Sequence, residues 1–397
     1  MKLAKRIEQV KPSMTLAIDA KARELKAKGE DIISFGAGEP DFPTPDNIKK
    51  AGIDAINRNM TRYTPVSGTD EVKDAIIAKF KNENGLVYQR NELVVSCGAK
   101  QSFYNLAQVL WEAGDEIIIP APYWVSYPEM TALADATPVI VETFAESGFK
   151  MTPEQFKAAI TPRTRAVVIN SPSNPTGSAY EKKELEALAE VALRHKILII
   201  SDEIYERIVF DGFQQVSIAS LGEEVKRNCV VINGVSKTYS MTGWRIGYLA
   251  ADKEIIAACN KLQGQSTSNP TSISQAATVE ALLGPQDEIM RRVTEFQKRR
   301  DFLLKRLGEI PGVTCYKPVG TFYAFPDFSG LYGSKWGDES IDGSLALTDF
   351  LIEAARVALV PGIAFGADRN TRISFATSIE IISKGLDRIA TAIATLK

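Results

Sequence analysis

The sequence predicts an α/β protein: a mainly parallel, seven-stranded sheet covered by helices, joined to a smaller α+β part. Between residues 93 and 251, short apolar, β-branched runs alternate with amphipathic stretches, the pattern of strands linked by right-handed helical crossovers. Three of these runs end in unusual polar groups, Asn174, Asp202 and Lys237, spaced 28 and 35 residues apart. Each interval is close to one βαβ unit of ~30 residues, so parallel topology brings all three to the same edge of the sheet. Finally, 397 residues with 45% hydrophobic content supply enough core for two domains.

In chain order, the first ~30 residues are charged and weakly amphipathic and read as an arm plus a helix ending near Gly29. Strands are expected at 93–97, 116–120, 138–142, 165–170, 197–201, 229–233 and 245–250, with helices such as 101–112 and 181–194 between them. Beyond about residue 253 helices dominate, including a long charged one at 286–308 that Gly308 and Pro311-Gly312 break. A short α+β region follows: strand 320–325, helix 343–356, strand 357–360, strand 372–375 and a closing helix, with Gly330–Gly343 as a surface loop. The expected division is 1–45 as an arm and part of the small domain, 46–285 as the large domain, and 286–397 as the small domain.

Composition excludes several classes. A net charge of −2 and a pI near 5.8 give no global pull toward nucleic acid or an anionic membrane. The four cysteines lie far apart without a CxxC pair, which argues against a disulfide framework or zinc site and fits a reducing cytoplasm. The one histidine, His195, is expected at the surface end of a helix, so a histidine triad or metal cluster is hard to build. No apolar run approaches the ~18 residues of a membrane span, and no signal peptide is visible. The expectation is a soluble, cytoplasmic protein without a metal. A dinucleotide site lacks its G-x-G-x-x-G after the first strand.

The chemistry concentrates in Asn233–Gly247. The buried run Cys229-Val230-Val231-Ile232 leads to Ser236-Lys237, with Arg245 eight residues later. Burial at a strand end depresses a lysine's pKa toward the neutral amine, a nucleophile that condenses with aldehydes. Ser236 and Arg245 are groups that hold a phosphate. An aldehyde bearing a phosphate describes pyridoxal 5'-phosphate, although many strand-end lysines are simply solvated.

The stretch Ser236-Lys237-Thr238-Tyr239-Ser240-Met241-Thr242-Gly243-Trp244-Arg245-Ile246-Gly247-Tyr248 resembles the cofactor-lysine segment of class I aminotransferases, the fold type I pyridoxal phosphate enzymes. The resemblance runs from Gly38 to Arg372. Through Pro122–Met130 it is similar to the bacterial aspartate aminotransferase branch. It implies amino transfer from L-aspartate to 2-oxoglutarate through a Schiff base on Lys237, in a homodimer with shared active sites. Prephenate or aromatic amino acids as substrates stay open, as do a C–S lyase and a non-catalytic cofactor-binding regulator.

The resemblance implies a role for each site residue. Asp202 pairs with the pyridine nitrogen; its alternative is a helix N-cap. Tyr205 and Asn174 bond the phenolic oxygen, or are a core tyrosine and a turn. Gly98, Ala99 and Lys100 open a helix whose amides meet the phosphate, completed by Ser236, Arg245 and Tyr63 from the other subunit. Trp124 stacks on the ring, or is a core tryptophan. Gly38, Trp124, Asn174 and Arg372 bind the substrate α-carboxylate; a strand arginine is otherwise a surface salt bridge. Lys100 reads a distal carboxylate, or is a surface lysine in a helix's first turn.

Overall fold

The computed structural model describes residues 3–397. Seven strands form the main sheet: β1 (Leu93–Ser96), β2 (Glu116–Ala121), β3 (Thr137–Glu142), β4 (Thr164–Asn170), β5 (Leu198–Asp202), β6 (Cys229–Gly234) and β7 (Gly247–Ala250). Their spatial order is β1-β7-β6-β5-β4-β2-β3. Neighbours from β3 to β6 run parallel, whereas β7 is antiparallel to both β6 and β1. Strands β1, β6 and β7 are buried along their whole length and β5 from Ile199 onward, as a sheet covered on both faces requires.

Topology explains why distant residues meet. The carboxyl ends of β1, β4, β5 and β6 point to one edge of the sheet. Because β7 runs the other way, its start lies at that same edge. Asn170, Asp202, Lys237, Gly98 and Arg245 therefore share one rim although they are spread over 148 residues of chain.

Two apolar clusters cover the sheet's faces, one around Ile76, Phe80, Val167 and Val231, the other around Phe103, Ile119, Tyr127 and Ile232. A third gathers Phe296, Phe322, Phe350, Ile373 and Leu386 from the second half of the chain, together with Ile33 and Phe35. Ile204, Tyr205, Ile208 and Phe210, which follow β5, pack into this third cluster and join it to the sheet. Ile33–Ser34 pairs in parallel with Val357–Ala358, so the N-terminal segment is built into the C-terminal part. Thr371–Ser374 lies between Val360–Pro361 and Tyr323–Ala324, all antiparallel.

Some expected boundaries move. The last main strand begins at Gly247, not 245, because Arg245 takes a left-handed conformation (φ 56°) at the end of a tight turn. The strand expected at 320–325 shrinks to Tyr323–Ala324, since Thr321 also has positive φ (64°). The surface loop 330–343 contains a small hairpin, Lys335–Trp336 against Glu339–Ser340. His195 does end the helix Lys182–His195 and is exposed.

Candidate active site

The rim borders a cavity of ≈ 540 Å³ walled by the strand ends, by Gly36–Glu39, by the helix Met14–Ala27, and by Tyr323 and Arg372. Its size suits a small-molecule ligand. Lys237 is half-buried, and its Nζ donates to the Gly38 carbonyl at 2.5 Å. Burial, and then the charge of Arg372, push its amine down to about 8. The amine also lies 5.9 Å from the centre of the Tyr205 ring.

Asp202 is 5% exposed. Tyr127 Oη donates to its Oδ2 at 2.6 Å, and the Ile204 amide donates to its Oδ1 at 3.2 Å. Burial raises its pKa, while those two bonds and Lys237 oppose the rise. The residues after Asp202 form an irregular turn with no helix to cap, so the N-cap alternative falls away. The carboxylate is held in a fixed direction by a tyrosine that the sequence reading left without a role.

Arg372 is only 3% exposed, so the surface salt-bridge alternative also falls away. Its guanidinium donates to Asn174 Oδ1 at 3.1 Å and to the Gly36 carbonyl at 2.8 Å, and stacks 4.4 Å from the centre of the Tyr323 ring. Its Nε is buried without a partner, a free donor on a fixed cation. The Asn174 backbone is held in turn, because its amide donates to Asn170 Oδ1 at 2.9 Å. The hydroxyls of Tyr205 and Tyr323 are 3.2 Å apart, and burial pushes the Tyr205 phenol well above its ordinary range.

The helix Ala99–Leu110 follows Gly98, which has φ 91° and supplies no side-chain cap. A Cβ on Gly98 would meet Arg245 Nη2 at 2.3 Å, and one on Gly247 would meet the Ala99 nitrogen at 2.1 Å. Gly98 leaves room for the Arg245 guanidinium, and Gly247 lets the start of β7 lie against the backbone of the uncapped helix start. The guanidinium is held there by the carbonyls of Thr242 (2.8 Å) and Cys97 (3.3 Å). Ser236 is buried beside them and also faces the cavity. Uncapped amides, a positive helix end and a fixed guanidinium suit a phosphate. With the lysine amine nearby, the residues present fit pyridoxal phosphate.

Lys100 is exposed, with Nζ 5.1 Å from the centre of the half-buried Trp124 ring, and both line the cavity. Partial burial and Arg245 lower its pKa. Tyr63 is not brought to the cavity: it is 92% exposed on the surface. Sequence reasoning missed Tyr127 and Tyr323, and also Asp19 and Arg23, which line the cavity from the N-terminal helix. Tyr127 lay within the quoted Pro122–Met130 run. Asp19 carried no local signal.

Residues 30–389 match the family described as aminotransferase class I and II. An aspartate aminotransferase from Geobacillus stearothermophilus is 51% identical, the match covering 98% of both chains. An aspartate/prephenate aminotransferase from Cereibacter sphaeroides is 50% identical, with 98% of this chain and 97% of that one covered. Among solved structures, the aspartate aminotransferase from Rhizobium meliloti superposes with a TM-score of 0.97 at 45% identity, with each chain covered completely.

Proposed function

The chain belongs to the class I and II aminotransferases, and on that premise we propose that it moves the amino group of L-aspartate to 2-oxoglutarate, using pyridoxal phosphate carried on Lys237. The observation that carries this reading is one cavity holding a lysine amine pushed down to about 8, a buried forked cation and an uncapped helix start beside Arg245.

When bound, pyridoxal phosphate supplies an electron sink that lets the substrate Cα–H bond break. The phosphate would sit on the amides of Gly98, Ala99 and Lys100, with Ser236 and Arg245. Trp124 would cover the ring face, Asp202 would keep the ring nitrogen protonated, and Asn174 and Tyr205 would bond the phenolic oxygen. Lys237 would take the Cα proton and return it elsewhere, work suited to an amine poised near neutral pH. Arg372 would grip the α-carboxylate through two parallel bonds, beside Gly38, Asn174 and Trp124. Lys100, long and exposed, would reach the distal carboxylate.

The remaining proposals rest on other observations. Residues 46–285 and the remainder, 1–45 with 286–397, would be the two domains enclosing the substrate. Tyr63, exposed on one chain, would serve the phosphate of a second copy in a homodimer. Among the described residues no helix is long and apolar enough to cross a membrane, and all four cysteines are free, which supports a cytoplasmic setting. Prephenate as a second amino acceptor is supported by the Cereibacter relative's name.

The test is purified protein with 2-oxoglutarate and a panel of amino donors, followed by borohydride reduction and peptide mapping. Aspartate should be the preferred donor, and the reduced cofactor should be recovered on the Lys237 peptide. Recovery on another lysine would refute the assignment.

A further inference from the structure

A second buried polar site lies behind the first, beyond the turn that carries Tyr205. The backbone ladder between β5 and β6 ends where the Glu203 amide donates to the Ile232 carbonyl at 2.9 Å. Past that point a side chain takes over. Glu206, 8% exposed, accepts from Asn233 Nδ2 at 2.7 Å, from Asn84 Nδ2 at 2.9 Å, and from Lys79 Nζ. Lys79 and Asn84 belong to the last part of the helix Asp70–Asn84, and Lys79 also donates to Asn84 Oδ1 at 2.8 Å. Asn233 is next to last in β6, four residues before Lys237, and its Oδ1 takes the Gly234 amide at 2.7 Å. One carboxylate thus pins three elements together.

Burial would raise the pKa of Glu206, but the Lys79 charge and the donated bonds outweigh it and hold the group below its ordinary range. The other charged groups nearby are Glu203, bonded by Ser201 and Ser217, and the Arg207–Glu83 pair. None of them contacts the cavity, so the proposed chemistry has no direct use for the cluster. A buried carboxylate needs partners for its remaining lone pairs, and one of those Glu206 takes is Asn233, on the strand end that leads to Lys237.

We infer that Glu206 is a positioning residue: by tying the turn of Asp202 and Tyr205 to the end of β6, it sets where those groups stand relative to Lys237. The inference rests on the function proposed above. It is the kind of supporting contact that holds reactive groups within a fraction of an ångström.

The experiment uses the full-length holoenzyme in four forms: wild type, Glu206→Ala, Lys79→Met/Glu206→Gln and Lys79→Met/Glu206→Leu. Steady-state kinetics with aspartate, the pH midpoint of the bound cofactor's visible absorption, and thermal unfolding are measured for each. Glu206→Ala should lower kcat by roughly 10- to 100-fold with KM within about threefold, and move the absorption midpoint by about half a unit or more. In the Gln double variant Oε1 still accepts from Asn233 Nδ2, and Nε2 can donate to Asn84 Oδ1, which loss of Lys79 frees to turn over, so kcat and midpoint should return to within about fivefold and about 0.2 unit of wild type. The Leu double variant is just as free of buried charge but lacks the bracket, and should behave like Glu206→Ala.

Unchanged kcat and midpoint in a folded Glu206→Ala would overturn the inference. If that variant does not fold, the two double variants decide, and identical kcat and midpoint in both would overturn it as well. A wild-type protein without a visible cofactor band would instead remove the proposed function, and this inference with it.

Discussion

The floor and the mouth of the cavity each carry a lysine, and the two are built in opposite ways. At the floor, Lys237 is half-buried, bonded to the Gly38 carbonyl and surrounded by groups that are themselves held: Asp202 by Tyr127, Asn174 by Asn170, Arg372 by Asn174 and Gly36. At the mouth, Lys100 is exposed and rests over the Trp124 ring with a long, flexible stem. Fixed groups suit steps that every substrate shares. A flexible cation suits recognition of a group that only some substrates have. The contrast predicts that floor substitutions damage all reactions alike and mouth substitutions damage them selectively.

The largest effect should come from Lys237→Ala. Removing nucleophile and proton carrier together should lower kcat by at least ~10⁴-fold. The protein should still retain cofactor through the helix start and Arg245, as measured by equilibrium dialysis. Next is Arg372→Lys, which keeps the charge but loses the planar fork and both oriented bonds. It should cost about 100-fold in kcat/KM for every amino donor. A loss confined to dicarboxylates would assign Arg372 to the mouth rather than the floor.

Lys100→Ala should lower kcat/KM for aspartate and glutamate by roughly 10- to 150-fold, the worth of one charge-assisted bond, while leaving alanine and aromatic donors nearly unchanged. Equal harm to all donors would erase the distinction. The smallest effect is a pH dependence. Below its folded pKa an amine is mostly protonated and cannot attack an aldehyde. With Lys237 pushed down to about 8, capture of pyridoxal phosphate by the apoprotein should quicken roughly fivefold from pH 7 to pH 8 and level off above about pH 9. An ordinary lysine would keep gaining about tenfold per unit up to pH 10.

The floor was more legible in the sequence than the mouth. Strand-end spacing placed Asn174, Asp202 and Lys237 together because parallel crossovers leave little choice of edge. The start of the last strand was misplaced by two residues because nothing local shows that Arg245 takes positive φ. Tyr127 and Tyr323 escaped notice because each needed a tertiary partner, Asp202 and Tyr205, to differ from a core tyrosine. The contribution of Asp19 and Arg23 was hidden for another reason: a charged helix near the N-terminus has no periodicity that says which face lines a distant cavity.

The pairing of Ile33–Ser34 with Val357–Ala358 also sets a schedule for the newborn chain. The first strand leaves the ribosome with no partner, and its mate is made 324 residues later. At ~5–20 residues per second that is a wait of roughly 15–65 s, during which the β1–β7 sheet can be completed. Arg372 is made later still, so the Gly36 carbonyl also waits for its guanidinium. The cavity therefore closes last. Throughout the wait Ile33 and Phe35, core residues of the finished molecule, stay available to chaperones.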